Sequence, residues 1–275
     1  MSPRYGQIDT GYGRRLASTS PDEDGPVWMV NLMSYRTAAD YADGRDSTIS
    51  GREADDLYAP TTPLAAVGAE IVFVGDVQDQ LLGDEPKWDR VAVVKYPTRR
   101  SFIDMQQRDD FQRLHEHKDA GMARTIVMGT QPMLGANWGI FDLPDWSEVP
   151  HPPTTDDGEV MVVHVLSFHD DVGAQSPADM ESYSNHAGQV ATPHGGRVTG
   201  WFAVEGTIIG DGRRWDQVRF NTFPSRRAFM AVVMDPDRLA AQHDYREPAI
   251  ADTYALVTRP LVNRLAASVD QKEGL

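Results

Sequence analysis

The apolar positions of this chain fall into short runs of period two, separated by stretches of helical period, and the same order occurs twice. Val27 to Tyr35 is a short apolar run that predicts a strand. Ser50-Gly51-Arg52-Glu53 has the spacing of a capping box, in which serine and glutamate side chains each satisfy a free backbone N–H. Ala54, Leu57 and Tyr58 follow at helical spacing, and Gly68 closes the segment. Glu70 to Val74 predicts a second strand, and Trp88 to Tyr96 a third, stopped by Pro97. Thr98 is placed to cap a helix carrying Phe102 and Met105 inward. A further helical piece holds Phe111 and Leu114, and Thr125 to Met128 is the fourth strand.

The second half repeats this order. Met161 to Phe168 reads as a strand, Ser176-Pro177 as the N-cap and first residue of a helix, and Arg197 to Val204 and Trp215 to Phe223 as strands. Ser225 caps a helix bearing Phe229, Val232 and Val233, and Tyr254 to Thr258 is the last strand. Each half is thus β-α-β-β-α-β, the split unit of ferredoxin-like folds. The halves also share one ungapped pattern, W-D-x-V-x5-P-[TS]-R-R-x-F, at Trp88–Phe102 and Trp215–Phe229. The expected fold is therefore α+β, two tandem ferredoxin-like (βαββαβ) repeats forming an intramolecular α/β barrel of the dimeric type. Its divisions are an N-terminal arm (1–26), copy 1 (27–132), a linker (133–158), copy 2 (159–265) and a C-terminal tail (266–275). Trp138 and Trp146 suggest that the linker packs on the body. Two facing sheets would lie about 10 Å apart, and the space between them is the expected ligand site.

Composition narrows the functional classes. The 275 residues are 40% hydrophobic and carry a formal net charge of −15, which argues against nucleic acid and anionic membrane as partners. There are no cysteines, so disulfides, thiolate nucleophiles and thiolate metal sites are excluded. No run is long and apolar enough to span a bilayer, and Met1–Gly6 begins no signal peptide, so a cytoplasmic protein is expected. His115-Glu116-His117 places its histidines about 200° apart on a helix, so no metal is expected; a solvated face is the reading, with one histidine reaching the cavity mouth at most. Pro193-His194-Gly195-Gly196 reads as a turn exposing His194. The pairs Arg99-Arg100 and Arg226-Arg227 follow helix caps, where a phosphate site and surface salt bridging compete, and recurrence favours salt bridging.

The Trp-Asp-x-Val strand, the Tyr/Phe-Pro-Ser/Thr turn and the Ser50-Gly51-Arg52-Glu53-Ala54 helix start resemble the DUF1330 family of the dimeric α/β-barrel superfamily. The resemblance covers about two thirds of the chain, once per half. Copy 2 lacks the Ser-Gly-Arg-Glu segment. It implies a fold shared by cofactor-independent monooxygenases, polyketide cyclases, muconolactone-isomerase-like enzymes, haem proteins and amino-acid-sensing modules, and no single reaction.

Strand alternation then assigns faces. The purely apolar Val30, Leu32, Val91 and Val93 are assigned to the helix side. Met29, Asn31, Met33, Tyr35, Arg90, Ala92, Val94 and Tyr96 are assigned to the inter-sheet space. Copy 2 offers Val162, His164, Leu166, Phe168, Gln217, Arg219, Asn221 and Phe223 at the matching positions. His164 is the candidate base, with Arg219 and Asn221 as the other catalytic groups; a neutral imidazole takes a proton near working pH, and a fixed guanidinium stabilises an enolate or phenolate. Asn31, Tyr35, Arg90, Tyr96, Phe168 and His186 are the candidate substrate-binding residues. The structural alternative is a core histidine with Arg219 at the strand edge. Tyr58 and Tyr183 lie on corresponding helices and read as core before cavity lining. The expected function is a cofactor-independent enzyme, with no cofactor of its own, acting on a small apolar aromatic or polyketide-like substrate by proton abstraction, of monooxygenase, cyclase or isomerase type. The alternatives are a non-catalytic small-molecule binding or sensing protein and a haem-binding barrel. The partner expected is a small-molecule substrate, and a homodimer is compatible with the sequence.

Overall fold

The computed structural model describes residues 3–133, 143–170 and 175–269. An arm carries β1 (Gln7–Ile8) and α1 (Thr10–Ser18). Copy 1 comprises β2 (Val27–Tyr35), α2 (Gly51–Tyr58), α3 (Thr61–Ala66), β3 (Glu70–Leu82), β4 (Arg90–Tyr96), α4 (Arg99–Gln106), α5 (Asp109–Gly121) and β5 (Met122–Pro132). Copy 2 comprises β6 (Val160–Phe168), α6 (Ala178–Ala191), β7 (Arg197–Gly210), β8 (Gln217–Phe223), α7 (Arg226–Val233), α8 (Pro236–Ala241), α9 (Glu247–Ala249) and β9 (Ile250–Asn263), and α10 (Leu265–Val269) follows. A π-helical turn, Gln242–Arg246, joins α8 to α9.

Within each copy the strands pair in the ferredoxin-like order: β3-β4-β2-β5 in the first and β7-β8-β6-β9 in the second. The copies then join at both edges, β3 to β9 and β5 to β7. The eight antiparallel strands therefore close on themselves, as an intramolecular α/β barrel of the dimeric type. Closure removes the free edges that either half would present alone.

The alternation groups the side chains as expected, but the two sides are interchanged. Trp28, Val30, Leu32, Val91 and Val93 point into the barrel, where they meet Met161, Val163, Val218 and Phe220 of copy 2. Phe73 and Phe220 cross the barrel at 5.4 Å between centroids, and Trp28 and Phe202 at 6.1 Å. Met29, Asn31, Met33, Ala92, Val94 and Tyr96 instead face the helices. The reason is enclosure. The barrel interior is enclosed by sheet and takes the apolar row of β2 and β4. The helix side is bounded by separate helices and tolerates polar groups. The inter-sheet space is thus packed core, and the ligand-sized space lies elsewhere.

The repeated motif has a structural explanation. Asp89 Oδ2 accepts from the Tyr35 amide at 2.7 Å while its own amide donates to Met33 O at 2.8 Å. Asp216 does the same with Phe168 at 2.7 Å and Leu166 at 2.8 Å. Each aspartate ties the start of the third strand to the end of the first. The preceding tryptophans both pack against Tyr254, at 5.6 Å for Trp88 and 5.4 Å for Trp215. Thr98 and Ser225 cap α4 and α7 from their side-chain oxygens. The following amides belong to a second shared device. Asp24 accepts from Arg99 N and Arg100 N at 2.8 and 3.1 Å, and Asp157 from Arg226 N and Arg227 N at 2.7 and 3.2 Å. The chain's own carboxylates therefore occupy both helix N-termini, where the dipole favours negative charge. The arginine side chains form ion pairs, Arg99 with Glu205, Arg226 with Asp79 and Arg227 with Asp157.

Several local expectations change. The arm is not merely irregular: Asp9 caps α1, and Tyr5, Tyr12 and Leu16 are fully buried. Tyr12 fits because Gly129 and Gly206 lie beneath it; a Cβ at Gly129 would stand 1.8 Å from its hydroxyl. Ser176 does not cap α6, whose N-cap is Pro177 without a side-chain bond. Its hydroxyl instead meets Gln217 Nε2 at 3.0 Å and Arg219 Nη2 at 3.3 Å. In the linker, Trp146 packs on the body and donates to Gly195 O at 2.9 Å, whereas Trp138 lies outside the described residues. His194 is half-buried and stacked on His151 at 6.2 Å, because the linker covers it. Ser268 of the tail accepts from Trp28 Nε1 at 3.0 Å, closing one end of the barrel. Among the described residues no helix is long and apolar enough to cross a membrane.

Candidate functional site

A cavity of about 460 Å³ lies in copy 1 between the sheet and its helices. Its floor is Met29, Asn31, Ala92 and Val94, brought together because β2 and β4 pair Met29 with Val94 and Asn31 with Ala92. Tyr96, Phe102 and Met105 form an apolar wall, and the Tyr96 hydroxyl donates to Met105 Sδ at 3.2 Å. Phe111, His115 and Lys118 descend from α5, and Tyr58 from α2. The arm closes one side with Tyr5 and Ile8. The volume is that of a typical small-molecule site, and the lining is largely apolar with a few converging polar groups.

Those polar groups cluster near α5. The Tyr5 hydroxyl and His115 Nε2 are 2.9 Å apart. The imidazole packs against Phe111 at 5.4 Å and Tyr58 at 6.2 Å. Burial, reinforced by the Lys118 charge, lowers its pKa to about 4, so it is neutral at pH 7. Lys118 is 8% exposed. Its Nζ lies 5.3 Å from the Tyr58 ring centroid and 6.0 Å from that of Tyr5, and it has no hydrogen-bond or ion-pair partner among the described residues. Burial pulls its pKa down, and Asp55 pulls partly the other way. Burial raises the Tyr5 and Tyr58 hydroxyls well above the usual phenol range. The site therefore offers a neutral imidazole, protonated phenols and an unpaired lysine against an apolar floor.

The rim is a different environment. Tyr35 donates to Asp55 Oδ2 at 2.6 Å, and Arg90 donates to the same oxygen at 2.9 Å and to Asp76 Oδ1 at 3.1 Å. Arg52 also donates to Asp76, at 2.9 Å. Burial works against the Arg90 charge, but Tyr35, Asp76 and Asp55 outweigh it and hold its pKa above the usual value. Arg90 thus has its own carboxylates.

The named candidates divide between the copies. Asn31, Arg90 and Tyr96 line the cavity, and Tyr35 joins its rim through Asp55. His164, Arg219 and Asn221 come together on the matching helix-facing side of copy 2, where His164 pairs in register with Arg219. Phe168 is core there, with Leu166 and Met180. His186 is exposed and stacked on Tyr245 at 5.4 Å, because α6 turns it outward. Tyr5, His115 and Lys118 were not singled out together. Phe111, His115 and Lys118 are spaced i, i+4 and i+7, so the helical period carried that signal; Tyr5 comes from the arm and carried none. His117 turns away to Tyr41 at 2.7 Å, and no cluster able to hold a metal occurs among the described residues.

No family model and no curated protein matches the chain. Among solved structures it is similar to a protein of unknown function from Rhodopseudomonas palustris, at 22% identity over 47% of this chain and 97% of that one (TM-score 0.41). It is similar to an anthrone oxidase-like protein at 13% identity over 89% and 97% of the two chains (TM-score 0.49). A chlorite dismutase mutant from Candidatus Nitrospira defluvii matches at 12% identity over 86% and 92% (TM-score 0.47). The barrel itself is defined by the strand order and registers above.

Proposed function

We propose that the chain is a cofactor-independent enzyme that abstracts a proton from a small, largely apolar aromatic or polyketide-like molecule held in the copy 1 cavity. The observation that carries this reading is the pairing of a neutral His115 with the unpaired, buried Lys118 on one face of α5, both opening onto an apolar space. A neutral imidazole accepts the proton of an acidic C–H or O–H and becomes imidazolium. The lysine, as ammonium, stabilises the enolate or phenolate left behind; charge stabilisation of this kind is strong where water is excluded. Tyr5 orients the imidazole, and Asn31 offers its side-chain oxygen to the substrate, since its amide nitrogen donates to Met29 O at 3.0 Å. The enolate or phenolate so formed is the common precursor of oxygenation, ring closure and isomerisation, and the residues do not choose among them. The DUF1330 resemblance, carried by the motifs above, supplies no reaction either. A cytoplasmic location and a homodimer belong to the same proposal.

The test is to identify co-purifying small molecules by native mass spectrometry and to follow turnover of enolisable and phenolic candidates, with and without dioxygen. His115→Gln should keep ligand binding while lowering kcat at least about 100-fold. Lys118→Met should weaken binding of the anionic form. Binding without turnover of any candidate by the wild-type protein would replace the enzyme with a binding protein.

A further inference from the structure

The helix-facing side of copy 2 holds two buried guanidiniums that no carboxylate pairs with directly; Glu181 acts on Arg219 and Glu247 on Arg246 only at longer range, and burial outweighs both. Arg219 comes from β8 and is 7% exposed. It donates to Gln217 Oε1 at 2.7 and 3.1 Å, to Ser184 Oγ at 2.8 Å and to Ser176 Oγ at 3.3 Å, and lies 3.8 Å over the Trp201 ring. Every one of these partners is neutral. Arg246 comes from the π-helical turn and is 5% exposed. It makes one side-chain hydrogen bond, to Thr253 Oγ1 at 3.3 Å, and lies 5.9 Å from the Tyr183 ring centroid. Among the described residues neither arginine forms an ion pair. Beside Arg219, the half-buried His164 has an Nδ1 with no hydrogen-bond partner. Like charge compounds burial here, since Arg246 further depresses Arg219, whose pKa falls to about 9.

Among the described residues these are the two arginines that are fully buried, and they differ from the paired arginines of copy 1. Arg90 and Arg99, half-buried in the helix layer, are both paired with carboxylates. A buried charge is normally retained only with a counter-charge. A guanidinium has five N–H donors in a fixed fork that matches carboxylate and phosphate oxygens, and Arg246 uses one of them here. The π-helical turn is itself a rare local geometry that recurs at functional sites.

We propose that copy 2 carries an oxyanion-binding site, distinct from the copy 1 cavity, in which Arg246 and Arg219 grip the carboxylate or phosphate group of a small molecule and His164 adds a ring N–H. The site supplies positive charge locally to a chain whose formal net charge is −15.

The experiment is thermal unfolding of the full chain titrated with sodium benzoate or with inorganic phosphate, ionic strength being matched with sodium chloride. At least one anion should raise Tm saturably, by about 3 °C or more, through binding to the folded state. A response to benzoate alone assigns a carboxylate, and to phosphate alone a phosphate. Arg246→Met should abolish the rise without lowering Tm in anion-free buffer. Arg246→Lys, which keeps the charge and loses the fork, should raise the half-saturating concentration at least about tenfold. Absence of any rise over the chloride control, or a rise unchanged in both variants, would overturn the proposal.

Discussion

The two repeats differ most where their backbones correspond. Asn31 pairs with Ala92 on the helix-facing side of copy 1, and His164 pairs with Arg219 at the same place in copy 2. Ala92 ends at its β-carbon and leaves the floor of a 460 Å³ cavity. Arg219 crosses the equivalent space and is held there by Gln217, Ser184 and Trp201. The buried charges are handled differently too. In copy 1 the buried arginine is surrounded by aspartates and the unpaired cation is a lysine facing the cavity. In copy 2 the buried arginines form no ion pair among the described residues. One scaffold thus yields an apolar cavity in one copy and a buried cationic cluster in the other, through differences at paired strand positions and in the turn that carries Arg246.

The largest expected effect comes from erasing the difference at residue 92. Ala92→Leu should fill the cavity floor, weaken binding of any cavity ligand by at least about 100-fold and leave the fold intact, because the added methylenes enter existing space. Calorimetric titration with the identified ligand checks this, and undiminished affinity would place that ligand elsewhere.

Acid should act on both repeats in the same direction. The His115 and His164 pKa values, about 4 and about 3, lie below the 6.5 of a free imidazole. As pH falls from about 6.5 towards 4, the unfolded chain gains protons that the folded chain refuses, so stability is lost across that window and is fully present above it. Each histidine should contribute roughly 1–3 kcal/mol to this loss, and His115→Gln and His164→Gln should each flatten the urea-midpoint profile between pH 7 and 4. A profile unchanged by both replacements would show that neither imidazole is held neutral by the fold.

Shared devices should respond alike. Asp24→Ala and Asp157→Ala each remove a carboxylate that accepts from two amides at a helix N-terminus, and each should cost about 1–2 kcal/mol. Unequal costs would mean that this cap serves one repeat more than the other. The smallest change is expected at Tyr96, which corresponds to Phe223. Tyr96→Phe loses only the contact to Met105 Sδ and should shift stability by less than about 0.5 kcal/mol.

Much of the barrel was legible because two signals agreed. The apolar run Val27–Tyr35 and the duplicated Trp-Asp-x-Val segment both specify strands, and the structure ends β2 at Tyr35 and pairs both aspartates alike. Which face is enclosed was not legible, because a row of valines suits a helix layer and a barrel interior equally. It was settled by the joining of β3 to β9 and β5 to β7, contacts between residues far apart in the chain. The contribution of Tyr5 was hidden for the same reason: it reaches His115 across 110 residues of sequence. The D-G-x-V segments at Asp24 and Asp157, three residues before each first strand, were a readable sign of the shared cap.

The closed seam also dictates an order of events during synthesis. When β5 leaves the ribosome, copy 1 has its four strands but not its neighbours, so β3 and β5 expose unpaired backbone groups and Val30, Leu32, Val91 and Val93 face water. Their partners in copy 2, the strands β6 to β9, emerge only later. The N-terminal half must persist as an open, adhesive sheet for the whole time that copy 2 is being made. Contacts of such long sequence separation are also expected to slow folding.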